Sequence, residues 1–217
     1  MMVLMKKSNL LVGLLTSLLV GTNGYWWLNN REQFRVTSVY DGDTIWLKSG
    51  DRVKLIGVNA PEIGRCLADE AKQKLSDLVL DKVIDLKEEK RDEWGRKMSL
   101  VYVGETLVNL EIMKAGLAKP DYTPNSRSED IKNASRLASQ NKTGVYGDIC
   151  KGSKTPPEPK CVIKGNIDKS TAKHYYHLPN CRHYSQIVLD LDTAENYFCS
   201  EAEAVRAGFT LAPDCLR

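Results

Sequence analysis

From Phe34 onward, hydrophobic and polar residues alternate with period two, and the alternation breaks at turn-forming residues. Phe34–Tyr40 reads as a strand, Asp41-Gly42-Asp43 as a turn and Thr44–Lys48 as a second strand. Ser49-Gly50-Asp51 then turns the chain into a third strand, Arg52–Val58, which completes a meander. The period lengthens after that. Ala71, Leu75, Leu78 and Val79 fall at helical spacing between Ala68 and Leu80. Val83–Lys87 and Met98–Val103 return to strand character, Leu107–Ala115 forms a short helix stopped by Gly116, and Ser128 is expected to cap a helix over 129–141. Five short strands with interspersed helices predict a small Greek-key β-barrel decorated by helices, an α+β arrangement.

The pattern stops at both ends of this region. Lys151–Lys160 is proline-rich and charged without apolar periodicity, which marks a linker. Residues 161–217 form a second, smaller Cys-rich module with three histidines, four tyrosines and four cysteines. At the other end, Lys6 and Lys7 precede an apolar run of eleven residues, Leu10–Val20, and the polar Gly21–Gly24. That is the shape of a signal peptide. Counted through to Leu28 the stretch has 19 residues, near the roughly 20 that span a bilayer, so an uncleaved anchor fits as well. Either reading places residues 31–217 outside the cytoplasm, secreted or held at the membrane only by residues 1–30. The expected organisation is therefore 1–30 signal or anchor, 31–150 barrel, 151–160 linker and 161–217 Cys-rich module.

Composition narrows the class. With 42% hydrophobic and 27% charged residues, a disordered chain, a collagen-like repeat and a polytopic membrane protein are excluded. The formal net charge is +3, and residues 31–150 carry 20 basic and 20 acidic side chains. No broad basic face marks a nucleic-acid binder, so any such partner would be met at a local site. Six cysteines without a Cys-x-x-Cys pair favour disulfides in an oxidising compartment over a zinc ribbon. Pairing Cys66 with Cys150 would tie the end of the barrel region back beside the third strand.

Three segments carry candidate chemistry: Asp41-Gly42-Asp43-Thr44, then Lys54 through Asn59-Ala60-Pro61-Glu62, and Asp92-Glu93-Trp94-Gly95-Arg96. They offer acceptor oxygens at Asp43 and Asn59, a spare carboxylate at Glu62 and cations at Lys54 and Arg96. Phosphodiester hydrolysis needs these parts: a hard metal held by oxygens, a base for water, and positive charge on the transition state. Each residue also has an ordinary reading. Glu62 could favour a helix start, Arg96 could be a solvated hairpin residue, Lys54 a surface strand lysine, and Tyr122, between Pro120 and Pro124, a packing residue.

Taken in order, the Asp-Gly-Asp-Thr turn, the Ala-Pro-Glu end of the third strand and the Trp-Gly-Arg turn resemble the staphylococcal nuclease (thermonuclease) family over about Phe34–Cys150. Gly116-Leu117-Ala118-Lys119 matches as well. The resemblance implies a five-stranded OB-fold, monomeric, that cuts DNA and RNA with Ca2+. It implies Asp43, Asn59 and the Ala60 carbonyl as metal ligands, and Glu62 as the general base. Arg96 and Lys54 would be the catalytic cations, and Tyr122 a base-stacking residue. Two positions depart from the family pattern. Lysine stands at position 54 for arginine, losing the planar fork that grips phosphate. Asparagine stands at position 59 for aspartate, removing one negative charge from the metal. The alternative is thus a catalytically impaired nucleic-acid-binding OB-fold module of the cell envelope. Residues 176–181 and 198–215 resemble the Ada-type metal-binding domain, where His177, Cys181, Cys199 and Cys215 could hold zinc. Disulfides Cys161–Cys199 and Cys181–Cys215 are the other reading.

Overall fold

The computed structural model describes residues 31–215. The expected signal or anchor at residues 1–30 lies outside them. Among the described residues no helix is long and apolar enough to cross a membrane.

The meander forms as the alternation predicts. Strands β1 (Val36–Val39), β2 (Thr44–Leu47) and β3 (Arg52–Leu55) pair antiparallel. In β2, Ile45 and Leu47 are buried while Trp46 faces out, the two-sided residue pattern of a strand with one face on a core. After β4 (Val58–Asn59) and helix α1 (Ala68–Val79), strand β5 (Asp85–Arg91) pairs antiparallel with β6 (Lys97–Val103). Strand β6 in turn runs parallel to β3, giving the order β1-β2-β3-β6-β5, with a short β7 (Thr106–Leu107) on β6. The two ends of that path meet. Val36 N–H donates to Lys82 O at 2.9 Å and Ile84 N–H to Phe34 O at 3.2 Å, so the segment entering β5 is bonded to the start of β1.

The enclosed core is aliphatic: Val36, Ile45, Val53, Leu55, Ile56, Leu100 and Val101 from strands and their ends, with Leu75 and Val79 from α1. Helix α2 (Val108–Lys114) adds Ile112 and Met113, and helix α3 (Ser128–Gln140) adds Ile131 and Ala134. One polar residue is built into it. Asn109 is fully buried; its Oδ1 accepts Val101 N–H at 2.9 Å, and its Nδ2 donates to Ile56 O and Ser99 O at 2.9 and 3.2 Å. It thereby fixes the chain just before β4.

Several boundaries differ from expectation. The third strand ends at Leu55, because Gly57 takes a positive φ of 77° and redirects the chain. Val58–Asn59 then pairs with a different partner, β8 (Lys119–Pro120), instead of continuing the meander. The strand expected at Val83–Lys87 runs from Asp85 to Arg91 and is mostly exposed, so pairing with β6 rather than burial defines it. Ser128 is not the cap of α3. It is the first helical residue, its hydroxyl bonding back to Asn125 O at 2.8 Å while Asn125 Oδ1 accepts Arg127 N–H.

Residues 161–215 build a four-stranded sheet in the order β11-β9-β10-β12: β9 (Ile163–Ile167), β10 (His174–His177), β11 (Asn196–Phe198) and β12 (Thr210–Leu211). A one-and-a-half-turn helix, α4 (Glu201–Arg206), is capped by Ser200, whose side chain accepts Glu203 N–H. Ile163, Tyr176, Phe198, Ala204 and Phe209 form its small core. All six cysteines are paired, as Cys66–Cys150, Cys161–Cys199 and Cys181–Cys215. No thiolates remain for the four-ligand zinc set through Cys181, Cys199 and Cys215.

Candidate active site

The Asp41–Asp43 turn packs where only glycine fits between its two acids. A Cβ on Gly42 would lie 2.6 Å from the Cβ atoms of both Ala60 and Ala71, so the turn is pressed against α1 and the segment after β4. Asp41 Oδ1 accepts Asp43 N–H at 3.0 Å and closes the turn. Burial pushes the Asp41 carboxyl above its ordinary value, and the charge of Asp43 pushes it the same way.

Asp43 is 4% exposed and fully engaged. Its Oδ1 accepts the Thr44 hydroxyl at 2.7 Å, and its Oδ2 accepts Ala60 N–H at 3.0 Å. That same Oδ2 is in direct ionic contact with Lys54 Nζ, and the two side chains are only 6% and 12% exposed. The contact follows from register, since Thr44 and Lys54 are directly paired between β2 and β3. One carboxylate thus joins the turn, the third strand and the start of the Ala60-Pro61-Glu62 segment.

Two residues past Ala60, the exposed Glu62 lines a cavity of about 340 Å³ together with Asn59, Ala60, Arg65 and Lys119. The opposite wall belongs to the C-terminal module: Asp192, Thr193 and Ala194. Backbone bonds hold that wall in place. Cys66 N–H donates to Leu191 O at 3.0 Å and Leu191 N–H to Cys150 O at 2.8 Å, directly on the Cys66–Cys150 disulfide. Lys119 pairs ionically with Asp192, whose side chain is 2% exposed. The residues after Cys150 are also engaged, since Ser153 and Leu189 exchange backbone bonds and Lys151 Nζ sits 2.6 Å from Asp190 Oδ2.

The structure therefore brings Asp43, Lys54, Asn59, Ala60 and Glu62 into one neighbourhood. Arg96 is placed elsewhere. Its Nε donates to Asp92 Oδ2 at 2.6 Å, its guanidinium lies 4.9 Å from the Trp94 ring centroid, and it does not line the Glu62 cavity. Tyr122 is 78% exposed, so its ring is available for stacking. Arg52, on the same strand as Lys54, stacks over the Tyr40 ring at 4.1 Å. Asp192 and Lys119 were not legible as site neighbours: no motif surrounds Asp192, and Lys119 was noted only within Gly-Leu-Ala-Lys.

The oxygen donors near Ala60 suit a hard divalent cation: the carboxylates of Asp43 and Glu62, the Asn59 side-chain carbonyl and the Ala60 backbone carbonyl. A cation that takes Asp43 Oδ2 has to displace the Lys54 ammonium from it. That requirement distinguishes this site from a simple carboxylate cage.

Residues 52–148 match the family model described as Staphylococcal nuclease homologue. That nuclease-like segment contains Lys54, Asn59, Ala60, Glu62, Arg96 and Tyr122. A Haemophilus influenzae protein described as an uncharacterized endonuclease is 35% identical over 88 residues, 39% of this chain and 49% of that protein. A thermonuclease of Staphylococcus intermedius is 31% identical over 106 residues, 43% of this chain and 62% of its own. A thermonuclease of Staphylococcus hyicus is 29% identical over 134 residues, 55% of this chain and 78% of its own. The chain spans about half the length of the Haemophilus relative.

Proposed function

We propose that the chain is an extracytoplasmic, calcium-dependent endonuclease that hydrolyses phosphodiester bonds in DNA and RNA. The observation that carries this reading is the triple junction at Asp43, where one buried carboxylate meets Lys54 and Ala60 N–H and so fixes the segment that presents Glu62. The nuclease relatives support it. The strand order, with its ends bonded through residues 34–36 and 82–84, supports an OB-type barrel as the scaffold. Three disulfides support an oxidising compartment.

Asp43, Asn59 and the Ala60 carbonyl would hold the cation, which when bound supplies Lewis acidity and charge neutralisation at the phosphate. Glu62, exposed at its cavity, takes the proton from the attacking water. Lys54, released from Asp43 Oδ2, donates to a phosphate oxygen as a point charge without the bidentate grip of arginine. Arg96, exposed and held only by Asp92 and Trp94, swings onto the transition-state oxygens. Tyr122 stacks on a base.

Incubating the purified protein with single- and double-stranded DNA and with RNA, in millimolar calcium and in chelator, tests this directly. Calcium-dependent internal cleavage is expected, and its absence on all three substrates would sink the reading. The second reading, a nucleic-acid-binding module without turnover, draws on Lys54 occupying Asp43 and on neutral Asn59. It requires retention of DNA without cleavage.

A further inference from the structure

The C-terminal module holds a buried histidine that faces a carboxylate without a hydrogen between them. His177, the last residue of β10, is 7% exposed, and its Nε2 lies 2.9 Å from Asn166 Oδ1 on β9. An amide oxygen only accepts, so Nε2 carries the ring hydrogen and Nδ1 presents a lone pair. Among the described residues Nδ1 makes no hydrogen bond. It lies 3.4 Å from Asp214 Oδ1. Two acceptors opposed in a buried space repel each other unless a cation lies between them.

Distance decides which cation. At 3.4 Å the pair is longer than the roughly 2.7–2.9 Å of a charge-assisted hydrogen bond, so a shared proton fits poorly. The same separation matches one edge of a tetrahedron around an ion with bonds of roughly 2.0–2.2 Å, the zinc range for nitrogen and oxygen ligands. Burial also pushes the imidazole below its ordinary value, against the opposing pull of Asp214, which keeps the ring neutral and able to ligate. The Asn166 bond is the outer contact that a ligating histidine uses to fix its tautomer. The other oxygen of Asp214 lies 3.2 Å from His183 Nδ1, and both histidines and Asp214 line an open cleft of about 790 Å³. The nearby sulfurs of Cys181 and Cys215 are joined to each other, so the available donors are nitrogen and oxygen.

We propose that His177 Nδ1 and Asp214 Oδ1 bind one divalent transition-metal ion of the zinc class, with His183 and water completing its coordination. This site is separate from the cavity beside Glu62 and does not rest on the nuclease reading.

The test uses the full chain with its disulfides intact, stripped by chelator and titrated calorimetrically with zinc chloride. One zinc per chain is expected, with affinity at least tenfold weaker in His177→Gln and in Asp214→Asn. Asn166→Ala should weaken it by about tenfold through the lost outer bond. Because a substitution could disturb folding, cobalt(II) bound to the unaltered protein gives a second measurement, the visible absorption of a four-coordinate nitrogen–oxygen site. Three results would overturn the proposal: no zinc bound at micromolar concentration, binding unchanged in both folded variants, or ready displacement by millimolar calcium, which marks an all-oxygen site. Nitrogen NMR of the metal-free protein showing both His177 nitrogens protonated near neutral pH would overturn it too.

Discussion

The barrel region and the C-terminal module solve stability differently. The barrel packs more than twenty buried apolar residues into one cluster and carries one disulfide within its bounds. The module has a core of five buried residues, three of them aromatic, and a second cluster of three, with two disulfides. A large aliphatic core tolerates a buried ion pair and a buried asparagine because many other contacts hold the backbone around them. A small core cannot, and covalent links substitute for apolar area. The difference assigns the two regions separate tasks in one joined molecule: the barrel positions chemistry, and the module walls its cavity.

The largest effect that sharpens this division is at Glu62. Replacing it with glutamine keeps the shape of an exposed side chain, so melting temperature should not move. Cleavage should fall by roughly 100- to 10,000-fold, the range for a lost general base, with nucleic-acid binding retained. Cleavage at the original rate would return Glu62 to the role of a helix-start carboxylate.

Covalent staples give the next effect. Replacing Cys161 and Cys199 with serine opens a link across 38 residues, and Cys181 with Cys215 one across 34. Each should cost the module about 2–5 kcal/mol, enough to unfold a core of that size, while the barrel stays folded. Hydrogen exchange would show amides of 163–177 losing protection while those of 44–55 keep it. Equal loss in both regions would mean that the two fold as one cooperative unit, and the contrast drawn above would fail.

A smaller and sign-specific effect is expected at Lys54. Lys54→Met removes the ammonium that occupies Asp43 Oδ2 and leaves a buried carboxylate without its cation. Without calcium the barrel should lose stability, by about 3–5 kcal/mol if the site does not relax. With calcium, the ion no longer competes with Lys54, so its affinity should rise and thermal stabilisation by calcium should exceed that of the unaltered protein. Weaker calcium binding in the variant would show that Lys54 does not compete with the metal.

How much of this was readable beforehand depends on the range of the interaction. Period-two patterning exposed the meander because Ile45 and Leu47 face in while Trp46 faces out, a local matter. The turn at Gly57 was not readable: Val58 continues the apolar pattern of Val53 and Leu55, and only tertiary pairing with Lys119–Pro120 shows that the chain has left the sheet. Ser128 looked like a cap because its type favours that position, whereas Asn125, three residues earlier, organises the turn. The site fared similarly. Asp43, Lys54 and Glu62 lie on a contiguous hairpin and were legible together, while Arg96 was grouped with them by motif and stands on Asp92 instead. Asp192 had no local signal at all, since its place beside Lys119 depends on a disulfide and a backbone bond from residue 66 to residue 191.

The smallest expected effect concerns that junction and acid. Burial pushes the Asp190 carboxyl up, but the hydrogen bond and charge of Lys151, joined by Gly152 N–H and Lys169, bring it below its ordinary value. A carboxyl depressed in the folded state contributes stability that is present above its unfolded value, and loses it as pH falls through the folded one. Lys151 follows the barrel and Asp190 belongs to the module, so protonation weakens a contact between them without touching either core. Lowering the pH from about 5 toward 3 should therefore raise hydrogen exchange at Gly152 and Ser153, and Lys151→Met should produce the same loosening at neutral pH. Faster exchange at Ile45 and Val53 over the same interval would place the acid-sensitive element in the barrel instead, and the division between a robust barrel and a tethered module would have to be redrawn.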